Sequence, residues 1–521
     1  MKLKIYLTII LNIFYYCNGY RILGIFPFNA KSHFMMYGEL MKGLAKMGHQ
    51  VDVISPYPLK KPYPNYSDVI VYPQVTQGLV NNLTYREMKL YTSGTPVAFV
   101  GSVAGNQICQ GMADPKVFNF LQNPPNDPPY DAIIVEIFGA HCFLALGSKW
   151  NVPVIGASSA VLYPWMHDII ANPENLAFVS NNLINYAENL DFSSRLYNVI
   201  SASFNKFYFN YITASQDEII RKYLGPNAMG VREAESNVAM ILVNSYFSLN
   251  GVRPFTPALI EVGGLHVQDE SPELSKDLKK WLDESNEGVV YFTFGSMVRI
   301  ETFPLNIIDN FYKAFAKIAP VRVLMKIPRK EDLPEGLPDN VLVLPWMPQL
   351  KILQHPNVKV FITHGGLMGT QESIYSGVPM IGIPLFADQF VNIDLYVSKK
   401  IAIKLDIDNF NDKDLVHALS SILTDPNYKK AAKRISEQFK DRPMTPIDTA
   451  EYWIRYIIKN GKNSLRSPAM DLSWWQLALL DVYGFLLLSC ILLLFLIYIL
   501  VKLIRNNLFK NKKVPFSKKV R

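Results

Sequence analysis

The chain has 521 residues, more than a single hydrophobic core accommodates. Hydrophobic types make up 49% and charged types 18%, which excludes a disordered or fibrous chain. The formal net charge is +8, yet eight Lys or Arg and no acid lie between Lys502 and Arg521, and Lys2 and Lys4 add two more at the other end. Without those ten the rest carries about −2, so no nucleic-acid partner is expected.

In chain order, residues 1–19 read as a secretory signal peptide. Lys2 and Lys4 form its charged start, residues 5–14 its apolar stretch, and Cys17-Asn18-Gly19 a small-x-small cleavage site. Residues 20–28 read as a buried strand, 35–47 as a helix stopped by Gly48, and 50–55 as the next strand. Asn65-Tyr66-Ser67 and Asn82-Leu83-Thr84 are glycosylation sequons in largely polar surroundings. An apolar strand over 131–137, a helical stretch and a strand over 152–156 continue the alternation. Residues 197–224 crowd Phe204, Phe207, Tyr208, Phe209 and Tyr211 together, either as a lipid- or substrate-facing surface or as an ordinary core helix.

A second set begins after the polar stretch 268–275. It comprises a helix over 277–284, strands over 288–294, 321–327 and 341–344, then strands over 358–363 and 380–383. Strands alternating with helices imply parallel sheets covered on both faces. The expected fold class is α/β, with two doubly wound, Rossmann-like domains over 20–265 and 275–450. Residues 451–481 then form a return helix and juxtamembrane segment.

Residues 482–501 carry no charge and are long enough to cross a hydrocarbon core of ~30 Å as a helix. Asp481 before it and Lys502 and Arg505 after it predict a single-pass type I arrangement, with 502–521 as a basic cytosolic tail. Lys518 and Lys519 stand fourth and third from the end, a spacing resembling the endoplasmic-reticulum retrieval signal, which predicts residence in that membrane with the body in the lumen. Membrane lipid is therefore an expected partner, and self-association is left open. Of four cysteines, only Cys109 and Cys142 face the oxidising side, so at most one internal disulfide is expected.

Chemistry concentrates in two places. Thr363-His364-Gly365-Gly366 follows a strand and precedes a helix, a turn whose glycines and free N–H groups suit a phosphate. The block continues through Glu372 to Gly377-Val378-Pro379 and Ala387-Asp388-Gln389, with Trp346-Met347-Pro348-Gln349 upstream. In the first domain, His33 follows the first strand in a loop at its carboxyl end, where parallel sheets place ligands.

Taken in order with the Gly295-Ser296 turn and the C-terminal anchor, these segments resemble the membrane-bound UDP-glycosyltransferases, which include the UDP-glucuronosyltransferases. The resemblance implies the GT-B fold, with a cleft between the domains and the nucleotide on the second. It implies that Trp346 stacks on uracil and that Gln349 and Glu372 bind the ribose. His364, Gly366 and Ser296 would hold the diphosphate, and Asp388 and Gln389 would read the sugar hydroxyls. His33 is implied as general base, oriented by Glu136 where many relatives have Asp. Met368 and Gly369 depart from the family pattern, which often has Asn or Ser there.

The resulting expectation is inverting transfer of a hexosyl group from UDP-glucose or UDP-glucuronate to a hydroxyl of a small lipophilic acceptor. No cofactor and no metal are implied, and Asp406-Ile407-Asp408 reads as a solvated turn rather than a metal motif. The donor reading leans to glucose, because the candidate cations for a sugar carboxylate, Lys326 and Lys351, offer no two-point arginine fork. A catalytically silent binder of hydrophobic molecules is the alternative from another class. No Gly-x-Ser-x-Gly elbow or Gly-x-Gly-x-x-Gly fingerprint is present, which disfavours hydrolase and dehydrogenase readings.

Overall fold

The computed structural model describes residues 19–76, 80, 82–93, 95–184, 190–268, 272–409 and 411–510. The predicted signal, apart from Gly19, and the dilysine end lie outside them. Residues up to Arg466 form one compact unit and Ser467 onward a second.

In the first unit, seven parallel strands form one sheet: β1 Arg21–Ile25, β2 Gln50–Ser55, β3 Tyr66–Val71, β4 Ala132–Glu136, β5 Val154–Ser158, β6 Val238–Val243 and β7 Leu259–Glu261. Their spatial order is β3-β2-β1-β4-β5-β6-β7. β4, β5 and β6 are buried along their whole length, the pattern of central strands with both faces covered. The second sheet contains β8 Val289–Thr293, β9 Arg322–Lys326, β10 Val341–Leu344, β11 Val358–Thr363, β12 Met380–Gly382 and β13 Ala402–Lys404, in the order β10-β9-β8-β11-β12-β13. Side chains alternate across it. Val290 and Phe292 of β8 join one core cluster and Val289 and Tyr291 the other.

Five helices of this unit bear on the site and its surroundings: α1 Lys31–Lys46, α2 Phe192–Thr213, α3 Leu367–Tyr375, α4 Gln389–Ser398 and α5 Pro446–Asn460. Apolar Phe34, Tyr37, Leu40, Met41 and Leu44 define the buried stripe of α1, and Gly48 at φ +95° lies just past its end. α1 starts four residues before the predicted helix, so His33 lies in its first turn and not in a loop. α5 crosses back onto the first sheet, where Ala450, Ile454 and Ile457 enter its core. Gly43 of α1 permits this approach, since a Cβ there would stand 2.4 Å from Ile447. The crossing begins at Pro446, five residues before the boundary drawn from sequence.

α2 corrects the core-helix reading of the aromatic stretch. Only Asn198, Ala202, Phe209 and Thr213 of its 22 residues are buried. The Asp-x-Asp turn is also more than a solvated bend. Asp406 caps it by accepting from the Asp408 amide and from Asn409. Asp408 accepts from Tyr85 and Lys89, fastening residues 83–90 to the second sheet. Leu83 there exchanges backbone bonds with Met297 and Arg299, and Met88 is buried in that sheet's core.

Cys109 and Cys142 form a disulfide that ties the segment after Phe99–Gln107 to the turn His141–Ala145. Because Phe99 and Val100 line the cleft between the two sheets, Cys142→Ser is expected to raise the acceptor KM severalfold without changing UDP affinity. It should also cost about 2–4 kcal/mol of stability. Thermal unfolding beside acceptor and UDP titrations checks both parts, and a changed UDP affinity would contradict the expectation.

The second unit contains α6, Leu480–Lys510, a 31-residue helix over the predicted apolar span. Its mean hydropathy reaches 3.0 and none of its most apolar window is buried.

Candidate active site

A cleft of about 770 Å³ opens between the carboxyl ends of the two sheets. Every site residue read from the sequence except Glu136 lines it: His33, Ser296, Trp346, Gln349, His364, Gly366, Glu372, Asp388 and Gln389. Glu136 reaches it through His33, whose Nδ1 lies 2.8 Å from Glu136 Oε1. The longer glutamate side chain therefore spans the distance to the histidine. A carboxylate accepts from Nδ1–H, which leaves Nε2 as the nitrogen with a free lone pair. Phe28 and Phe138 flank the imidazole edge-on at 5.2 and 4.8 Å, and with Phe99 and Tyr163 they make this half of the cleft apolar.

The opposite half is polar. β8 ends in a turn at Gly295, φ +80°, where a Cβ would stand 2.7 Å from His364. A Cβ on Gly366 would also stand 2.7 Å from the same ring. The two glycines make the space in which His364 sits. Burial, reinforced by Lys326, pushes this imidazole down to about 4, so it is neutral near pH 7. Gly366 is the N-cap of α3 with no side-chain cap, so the first amides of that helix are available toward the cleft. Ser296 comes next after Gly295 on the same rim.

Trp346 is 58% exposed rather than part of the core, with Lys326 Nζ 5.0 Å from its ring centroid. Lys326 donates to Gly295 O at 2.7 Å, and burial lowers its ammonium to about 8 against the opposing pull of Glu301. Lys351, the other candidate cation, instead pairs with Glu273 at 3.0 Å and does not line the cleft.

Gln349 Nε2 donates to Glu372 Oε2 at 2.6 Å, and its Oε1 accepts from Tyr291 at 3.2 Å. The two side chains proposed for the ribose are thus one connected pair. Burial raises the Glu372 carboxyl to about 7, opposed by the bond from Gln349. Burial likewise raises Asp388, opposed by Asn392 and His33. Gln389 is almost fully buried, and its Oε1 accepts from the amides of Leu385 and Phe386, so its oxygen shapes the loop and only Nε2 remains for a ligand.

The two departures from the family pattern have structural uses. Met368 turns toward the first sheet, where its sulfur accepts from Asn244 and its carbonyl from His266. Gly369 leaves room for Gln349, whose Nε2 would stand 3.0 Å from a Cβ. Tyr291, His266 and Asn244 escape a reading from sequence, because each lies in an apolar run or a distant loop without a motif.

Glu372 yields a pH prediction. Its folded value of about 7 lies above 4.5, so the stability it contributes is complete below about 4.5 and is lost as pH rises through about 7. At pH 8 the ionised carboxylate costs the ligand-free fold up to about 3 kcal/mol. Glu372→Gln should therefore melt above the parent at pH 8 but not at pH 5, while its donor KM rises about tenfold. Melting curves that shift equally at both pH values would contradict this.

A family model described as "UDP-glucoronosyl and UDP-glucosyl transferase" matches residues 28–514. The chain belongs to the UDP-glycosyltransferase family. This UDP-glycosyltransferase is 36% identical over 494 residues to UDP-glycosyltransferase UGT5 of Dactylopius coccus, covering 93% of this chain and 92% of the relative. UDP-glucosyltransferase 2 of the same organism is 33% identical over 508 residues, 96% of each chain. UDP-glucuronosyltransferase 2A2 of Homo sapiens is 34% identical over 398 residues, 75% of this chain and 72% of the relative. Among solved structures, Phytolacca americana UGT2 complexed with UDP-2fluoro-glucose and pterostilbene superposes with a TM-score of 0.58 at 16% identity, covering 85% of this chain and all of the other. Such identity shows the fold alone, which is GT-B-like. The family assignment carries the reaction: a sugar is transferred from a UDP-sugar donor to a small acceptor.

Proposed function

We propose that this UDP-glycosyltransferase is an inverting, metal-independent hexosyltransferase acting on hydroxyls of small lipophilic acceptors, with His33 as general base. The observation that carries the proposal is the 2.8 Å contact between His33 Nδ1 and Glu136 in an apolar pocket facing a polar one. The acceptor lies against Phe28, Phe99 and Phe138. His33 Nε2 takes the hydroxyl proton as the oxygen bonds to the anomeric carbon, and Glu136 stabilises the imidazolium that forms. The bond from that carbon to the β-phosphate oxygen breaks on the opposite face, and the electron pair leaves with UDP. The amides at the start of α3, His364 and Ser296 receive the diphosphate charge. Trp346 stacks on uracil, Gln349 and Glu372 bind the ribose, and Asp388 with Gln389 Nε2 meets the sugar hydroxyls.

UDP-glucose is the proposed donor, with UDP-glucuronate second. Lys351 is engaged by Glu273, and Lys326 stands beside the Gly295 turn proposed for the diphosphate. Product mass spectrometry with both donors at equal concentration and a phenol panel tests this. A glucuronide majority rejects the glucose reading, no conjugate with any donor favours the silent binder, and activity lost to chelator rejects metal independence.

The same reading makes α6 a single-pass anchor, with the body in the endoplasmic-reticulum lumen and the basic tail in the cytosol. Its 31 helical residues extend ~46 Å, more than a hydrocarbon core requires. Resistance to alkaline extraction, with the body protected from protease in sealed microsomes, is the expected behaviour. Protease-sensitive body in intact microsomes would reverse the orientation.

A further inference from the structure

Among the described residues, nothing covers the outward apolar face of α2. Its inner face is well seated: Phe209 stacks on Trp165 at 4.4 Å, Asn198 donates to the carbonyls of Leu176 and Val179, and Asn106 donates to Ile212 O. Ile200, Phe204 and Tyr211 each lie two residues beyond a buried position, about 200° round the helix. With Leu196 and Phe207 they form an outward stripe, each residue between 51% and 72% exposed. The helix has two charged side chains, and both turn away from this stripe. Arg195 donates to Leu190 O, and Lys206 pairs with Asp168 and Glu174.

We propose that the outward face of α2 lies on a lipid surface, seated at the boundary between headgroups and acyl chains. The inference rests on the membrane-anchored reading of α6. Residues 467–479 join the body to the apolar helix, and even fully extended at ~3.5 Å per residue they reach under ~50 Å. Tethering on that scale makes a second contact with the same bilayer effectively intramolecular. The chemistry of the face agrees. Aromatic rings with polar tips, such as Tyr211, and bulky aliphatics without charge suit the interface region.

A second copy of the chain fits less well. A 22-residue helix is ~33 Å long, and a stripe ~10 Å wide offers ~330 Å². A stable dimer needs ~800 Å² from each partner. A lipid surface sets no such minimum, because each inserted ring contributes separately.

Phe207→Trp in the full chain, reconstituted into phosphatidylcholine vesicles, provides the test. Relative to the parent, the added indole emission should fall at least twofold when the acyl chains are brominated. Vesicle flotation without that quenching overturns the proposal and leaves the anchor reading intact. Failure of the parent to float overturns both. Efficient disulfide-linked dimers of Tyr211→Cys without lipid quenching assign the face to a second copy, and also overturn it.

Discussion

Replacing His33 with Ala is expected to lower kcat about a thousandfold while UDP affinity changes less than twofold. General-base catalysis contributes ~10²–10⁴, and the upper part of that range applies where water cannot substitute. The rings of Phe28 and Phe138 flank the His33 imidazole, so a deprotonated water has little room at the acceptor oxygen. UDP affinity is spared because the proposed nucleotide contacts lie on the second sheet and its loops, whereas His33 belongs to the first turn of α1. Glu136→Gln separates base from orienter. The amide oxygen still accepts from Nδ1–H, which preserves the tautomer, but the charge that stabilises the imidazolium is gone. A fall of about ten- to hundredfold in kcat with unchanged acceptor KM is expected, and Glu136→Ala should fall further because the ring also loses its restraint. Near-normal turnover of His33→Ala with several phenols would remove His33 from the mechanism.

The sequence resolves some of this architecture and not the rest for identifiable reasons. Strands such as β10 and β11 match the predicted bounds because an apolar run flanked by polar or turn residues has one reading in a parallel sheet. The start of α1 escapes the pattern because Lys31 and Ser32 carry no apolar signal, and helical periodicity begins to show only with Phe34. α2 carries most of its large apolar side chains on its exposed face while Asn198 and Thr213 are buried, so apolar periodicity does not show which face meets the core. The motif residues around the cleft are legible as a set through family resemblance. Their partners are not: Tyr291 behind Gln349 and His266 behind Met368 are brought in by long-range packing that local patterns do not encode.

The second large effect concerns the space around His364. Gly366→Ala is expected to lower kcat/KM for the donor about a hundredfold and to weaken UDP binding at least tenfold. Gly366 has φ −61° and ψ 134°, a conformation any L-residue adopts, so backbone strain does not enter. The effect is steric: the new methyl would stand 2.7 Å from His364 Nε2 and 2.8 Å from Cε1. The imidazole has little room to retreat, because on Gly295 a Cβ would also lie 2.7 Å from it. The ring must rotate away from the turn, and the methyl also occupies the approach to the first amides of α3. Both changes fall where the diphosphate is proposed to bind. Gly295→Ala is the informative comparison, since it meets the same ring but at φ +80°, adding about 1–2 kcal/mol of backbone strain. It should lose thermal stability as well as activity, whereas Gly366→Ala should melt within a few degrees of the parent. UDP titration calorimetry with thermal unfolding separates the two variants. Near-parental UDP affinity in Gly366→Ala would place the diphosphate elsewhere than at this turn.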